Sequence, residues 1–165
     1  MMFFGRKLVI EPRGMTKAVD HFVVSSTAAQ LSLDFILLRA DGSHAGVRVR
    51  LARSFGEKAC VAIEQSLAQY TTLRGHVRVS REPVPEPLRF TSLEEHAANH
   101  LKAIHSESDL FLDFRMQLIQ GSQLSELDRV MVVLPVGLAP PLLAAMQATL
   151  EAQRKSDPWP LQKPG

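Results

Sequence analysis

Leu-Asp-Phe-Ile-Leu-Leu-Arg-Ala-Asp-Gly-Ser-His-Ala-Gly-Val-Arg-Val-Arg-Leu-Ala, residues 33–52, is the stretch on which the reading of this chain turns. Two apolar runs, 33–40 and 45–52, flank Asp41-Gly42. Asp-Gly between two such runs marks a β-hairpin, because the glycine accepts the positive φ that the turn needs. In the second run Val47, Val49 and Leu51 alternate with Arg48 and Arg50, the two-residue period of a strand with two different faces. A two- or four-residue loop puts Arg48 and Arg50 on the face of Leu33, Phe35, Leu37 and Arg39. A three-residue loop swaps that assignment.

Toward the N-terminus, 6–12 and 19–25 are short β-branched runs and predict two more strands. Toward the C-terminus a helix is predicted over 54–70. Ser54 and Glu57 make a capping box, and Ala59, Cys60, Ile63, Leu67 and Tyr70 share one face. A fifth strand is predicted over 74–81. Pro83, Pro85 and Pro87 then break the chain. The back half predicts helices over 92–105, 107–120, 126–134 and 140–155. The first three are each led by an [ST]-x-x-[DE] pattern: Thr91/Glu94, Ser106/Asp109 and Ser125/Asp128. The β-branched Val130, Val132 and Val133 make a strand the alternative for 126–134. No internal repeat of fixed period is read. The expected fold is α+β: an antiparallel sheet of about five strands in the order ββββα-β, followed by three or four packed helices.

The expected organisation is a basic strand-rich subdomain (1–82), a proline-rich connector (83–90), an acidic helical subdomain (91–156) and a loose tail (157–165). Charge follows that division. Residues 1–82 hold 12 Lys/Arg against 7 Asp/Glu, residues 83–165 hold 7 against 10, and the whole chain of 165 residues is at +2. Hydrophobic residues at 45% and charged residues at 22% suit a globular chain with a buried core. A lone cysteine, Cys60, excludes an internal disulfide and a cysteine-based zinc cluster. The longest apolar run, 130–145, is broken by Pro135, Pro140 and Pro141, too short and too interrupted to span a bilayer. A cytoplasmic protein with no membrane partner is expected.

Chemistry-bearing motifs are scarce. There is no phosphate-binding glycine loop and no G-x-S-x-G elbow. His96 and His100, four apart on a predicted helix, are weak candidate metal ligands, but Ala97 stands where a zincin motif needs glutamate. Cys60 falls on the apolar face of its helix, where a small core residue is the default. No cofactor and no catalytic residue is assigned, and the chain leans away from enzymes. An enzyme with a nonlocal site using His96, His100 or Cys60 is the third reading.

The leading expectation is a non-enzymatic binding protein that meets nucleic acid, with single-stranded DNA or RNA as the expected partner. Its basic sheet face would be formed by Arg48, Arg50, Arg78, His76, Arg39 and Phe35, with cations for phosphates and a flat ring for bases. The element order ββββα is similar to that of single-stranded nucleic-acid-binding families of the Whirly and PUR type. The similarity is one of element order, and no family site is carried over. The alternative is a protein-interaction or assembly module, a homodimer or an adaptor. It would use the predicted helix 107–120 through Leu110, Phe111, Phe114 and Leu118, since the apolar residues there cover about two-thirds of the helix circumference.

Overall fold

A computed structural model describes residues 16–80, Leu88 and 90–156. The predicted strand 6–12, the three prolines of the connector and the tail lie outside the described residues. The fold is α+β, with two four-stranded sheets and two long helices. In chain order the elements are β1 (Thr16–Ala18), β2 (His21–Ser26), β3 (Gln30–Leu38), β4 (His44–Ala52), α1 (Arg53–Arg74), β5 (Phe90–Ala98), β6 (His100–His105), β7 (Asp109–Gln120), β8 (Gln123–Pro135), a 3₁₀ turn (Val136–Leu138) and α2 (Ala139–Lys155). One sheet runs β2-β3-β4-β5, the other β1-β8-β7-β6.

The hairpin at Asp41-Gly42 forms, with Leu38 opposite His44 and Gly42 at φ 87°. Three residues close it, because the Arg39 N–H still donates to the Ser43 carbonyl. The Asp41 carboxylate fixes the turn by accepting from the Ser43 N–H and hydroxyl. That odd loop sets the register: Asp34 faces Arg48, and Phe35 faces Val47.

Three predicted helices are strands. Residues 92–105 form β5 and β6, 107–120 lie in β7, and 126–134 lie in β8, the alternative weighed for that run. In β7 the inward residues Leu110, Leu112 and Phe114 recur every second position, and so do Val130, Val132 and Leu134 in β8. Phe111 and Ile119 put apolar groups on the other face of β7 as well, which is why the run imitates an all-round apolar helix. The Ser106/Asp109 pattern closes the β6–β7 turn instead of capping a helix, with the Ser106 hydroxyl accepting from the Asp109 N–H at 3.0 Å. Serine and aspartate favour both settings for the same reason, a short side chain that bonds nearby backbone. The predicted capping box at Ser54 does not form either. Helix α1 starts at Arg53 with no side-chain cap bond. Of the predicted strand 74–81 the described residues, 74–80, are not a strand, as Gly75 ends α1 at φ 93° and 77–80 run without ladder partners.

The two sheets are two copies of one plan. Asp20 N–H donates to the Ile36 carbonyl, and Asn99 N–H donates to the Arg115 carbonyl. Thr27 pairs with Gln30 as Ser106 does with Asp109. His21 faces Ile36 as His100 faces Arg115. All of these matches share one offset of 79 residues (20 to 99, 36 to 115). Strands β4 and β8 match at an offset of 83 (48 to 131, 52 to 135). Each copy is therefore a leading strand, a three-stranded antiparallel meander and a helix. The leading strands are exchanged: β5 lies parallel to β4, and β1 parallel to β8. The helices cross over too, α1 packing on β6 and α2 on β2.

The core sits between the copies as one cluster. Phe35 and its counterpart Phe114 meet there with ring centroids 6.1 Å apart. Ile63 of α1 and Met146 of α2 are also counterparts, both fully buried. The helices approach closely where Gly56 faces Leu150, and a Cβ on Gly56 would lie 2.8 Å from the leucine Cδ2. Repeating one meander twice gives each copy's inner face a partner of the same shape, the condition for a dense core.

Candidate functional site

The structure separates the residues of the expected basic face. Arg48 and Arg50 do share the outer face of the first sheet. Arg48 is bound through Nε and Nη2 to the two oxygens of Asp34, at 2.8 and 3.0 Å. Arg50 pairs with Glu95 of β5 at 3.0 Å. Phe35 points the other way and is fully buried. Arg39 is on the inner side with Phe35, beyond the end of β3, and donates to the Ser92 hydroxyl. His76 and Arg78 follow α1 and belong to neither sheet. Their segment runs beside the 3₁₀ turn, where the Ser80 N–H donates to the Gly137 carbonyl. The two arginines that stay together are thus balanced by carboxylates, and no described aromatic ring of the named set joins them.

The histidines separate as well. His96 is in β5 and His100 in β6, with the chain passing between sheets at Asn99. Asn99 makes that crossing by copying a strand: its side chain accepts from the Gln117 N–H and donates to the Gln117 carbonyl. Among the described residues no group of three or more His, Cys, Asp or Glu is placed to hold a metal ion. His96 instead forms a clasp between the sheets. Its Nδ1 meets Asp128 Oδ1 of β8 and its Nε2 meets Glu94 Oε2, both at 2.9 Å. Glu94 also pairs with Lys17 of β1 at 2.9 Å. Asp128 in turn accepts from the backbone N–H of Ala97 and of Arg129. Burial pushes the His96 pKa down, but the two carboxylates outweigh it and the net shift is upward. For Glu94 burial pushes up, and Lys17 and His96 outweigh it, so its carboxyl is held below the usual range. Cys60 is buried, its thiol pushed up to about 11 by burial and then by Glu57 and Glu64. A thiol so protonated is a poor nucleophile at neutral pH.

The candidate interface residues divide by face. Leu110 and Phe114 belong to the buried core. Phe111 is half-buried on the outer face of the second sheet, where Val133 and Ile104 stand opposite it on the two flanking strands and Met131 lies one pair along β8. Asp113 on that face is buried and gripped by Arg115 at 2.9 Å and Arg129 at 3.2 Å. Burial raises its pKa, and the two guanidinium groups more than offset that.

Leu118 lies beyond the core, in an arm that the first copy lacks. After a bulge at Leu127, strands β7 and β8 continue as a two-stranded ribbon to the Gly121 turn. Strand β6 ends opposite Arg115, and β1 covers β8 only from Met131 to Val133. Among the described residues, no strand flanks either side of the arm from Leu118 to Leu127. Ile119 is 72% exposed, Leu127 63%, Leu124 60% and Leu118 41%. Ile119 and Leu124 are paired on one face, while Leu118 is on the other.

The sequence pattern places Ile119 and Leu127 on apolar helix faces and does not single out Ile119, Leu124 or Leu127 as exposed contact residues. The alternation 110-112-114-116-118 was the available signal, since it places 111 and 119 on the second face of a strand. A scan against protein-family models finds no match, and a search of curated proteins finds none.

Proposed function

We propose that this chain is a non-enzymatic assembly module whose contact element is the β7–β8 arm, with a second copy of itself as partner. One observation carries the reading: a two-stranded ribbon exposes four large aliphatic side chains and, among the described residues, has no strand on either ladder edge. An isolated two-stranded hairpin is marginally stable in water, so apolar groups on it do little for the monomer. Open edges and clustered apolar side chains mark places where another chain pairs or packs. The half-buried Phe111, Met131 and Val133 continue that apolar character along the outer face of the same sheet. Among the described residues no helix is long and apolar enough to cross a membrane.

Sedimentation or light scattering across a concentration series tests the reading. The expected mass is twice the 18.3 kDa of one chain. The double substitution Ile119→Asp/Leu124→Asp returns it to 18.3 kDa with unchanged circular dichroism. A wild-type protein that stays monomeric at the highest concentration overturns the reading.

A further inference from the structure

The repeat exposes a difference between the copies that has a chemical consequence. On the inner face of β8, Asp128 reaches His96 and the Ala97 N–H and so fills the space between the sheets. Its counterpart on β4, at the offset of 83 residues, is Ala45. A methyl group stands where the other copy has a carboxylate, and Lys17 stands where that copy has His96. At that place an open cleft of about 500 Å³ lies between β1 and the ends of β3, β4 and β5. Leu37, Ala45 and Val47 form one apolar wall, and Val19 faces them from the end of β1. This size and mixed lining are those of small-molecule sites.

Three charged residues line the cleft: Lys17, Arg39 and Glu94. Glu94 already accepts from Lys17 and from His96. Among the described residues Arg39 has no carboxylate within ion-pair distance. Among the described residues its side chain makes one hydrogen bond, from Nη2 to the Ser92 hydroxyl at 3.1 Å, and Asp41 acts on it only through space. The nearby Asp41 is engaged by Ser43. The cleft therefore carries a net positive charge, and its arginine has most of its planar donor fork unspent. A guanidinium of this kind matches a carboxylate in both geometry and charge.

We propose that this cleft binds a small amphipathic carboxylate, its acid group on Arg39 and its unbranched apolar tail against Leu37, Ala45 and Val47. Decanoate is the probe, and titration calorimetry with the full chain is the measurement. Wild type is expected to bind decanoate, and Arg39→Gln to bind it at least tenfold more weakly. Arg39 is exposed beyond the end of β3, and glutamine keeps a polar amide there, so that change removes charge more than structure. Ala45→Leu fills the cleft while leaving every charge in place, and it too is expected to cost at least tenfold. Decanol, with the same tail and no charge, is expected to bind at least tenfold more weakly than decanoate. The arm variant Ile119→Asp/Leu124→Asp is expected to bind as wild type does, which separates this site from the assembly surface. No binding by wild type overturns the proposal. So does undiminished binding by both cleft variants that remain folded, equal binding of decanol, or loss of binding only in the arm variant.

Discussion

The first copy closes its β3–β4 hairpin with a three-residue turn at 40–42, and the second runs β7–β8 on past the same point to Gly121. At the centre of the inner faces the two meanders agree: Leu31, Leu33 and Phe35 answer Leu110, Leu112 and Phe114, and Val47, Val49 and Leu51 answer Val130, Val132 and Leu134. Outside, they part. The first outer face is a polar ladder of Asp34, Arg48, Arg50 and Glu95, whereas the second carries Phe111, Met131 and Val133 around a single buried carboxylate. Packing requires the shared interior. Nothing in the packing requires the arm, the open cleft or the apolar outer face, and those are where the two copies have become different objects.

The largest expected effect tests the agreement. Phe35→Ala and Phe114→Ala should each cost about 3–5 kcal/mol in urea denaturation, as buried phenylalanines do. If the copies are equivalent in energy as well as in shape, the two values will match. The double variant should then cost less than their sum, because each ring has already lost its neighbour. Unequal values would locate the more tightly packed copy.

Next in size is the pair of buried aspartates, counterparts with different partners. Among the described residues Asp34 is held by one guanidinium, that of Arg48, and Asp113 by two, those of Arg115 and Arg129. Arg48→Ala leaves a buried carboxylate with no guanidinium and should cost about 1–3 kcal/mol. Arg129→Ala leaves Arg115 in place and should cost about 1 kcal/mol or less. Removing Arg115 as well should bring the second copy to the cost seen in the first. Equal losses for the two single variants would show that the second arginine on Asp113 adds nothing. Because Arg48 is tied to Asp34, its removal should register as lost stability before it registers as lost affinity for an oligonucleotide.

How much of this was legible beforehand depends on locality. The Asp41-Gly42 hairpin, the face of α1 and the C-terminal helix were all readable, since each rests on residues within a few positions of one another. The repeat left a trace, Leu-Ser-Leu-Asp-Phe at 31–35 against Leu-Phe-Leu-Asp-Phe at 110–114. The trace is faint because Arg-Val-Arg at 48–50 and Met-Val-Val at 131–133 share only their inward valines, Val49 and Val132. The exchange of leading strands had no local sign at all, because pairing β1 with β8 joins residues more than a hundred positions apart. The face of Arg48 hung on the length of one loop. Asp41 and Ser43 settled that through two hydrogen bonds that pattern alone does not specify. For the site, arginine on one strand face could be read, but the carboxylates that neutralise it come from β3 and β5, one of them mistaken for helix.

A third prediction concerns Lys17 and His96, counterparts on the exchanged strands that share Glu94. The His96 pKa is raised above its ordinary 6.5 in the folded protein. Its contribution to stability is therefore fully present below 6.5 and is lost as pH rises through the folded value. Glu94 is held below its ordinary 4.5, so its contribution is present above that and lost as pH falls through the depressed value. Melting temperature against pH should show a plateau between the two limbs. His96→Gln should flatten the alkaline limb, whereas Lys17→Met should leave that limb in place and weaken only the acid one. A wild-type alkaline limb that survives in His96→Gln would place its origin elsewhere.

The smallest effect on stability is expected where the copies differ most. Ile119 corresponds to Ala40, a turn residue of the first hairpin, at the offset of 79. The first copy folds without anything there, and the core does not reach the arm. Ile119→Thr and Leu124→Thr should each shift the unfolding free energy by no more than about 0.5 kcal/mol, since both side chains are mostly in water in the monomer. The same substitutions should weaken assembly, and the amides of 118–120 should gain hydrogen-exchange protection as wild-type concentration rises. A loss of several kcal/mol in dilute, monomeric protein would mean that the arm supports its own copy, and its exposed side chains would no longer argue for a partner.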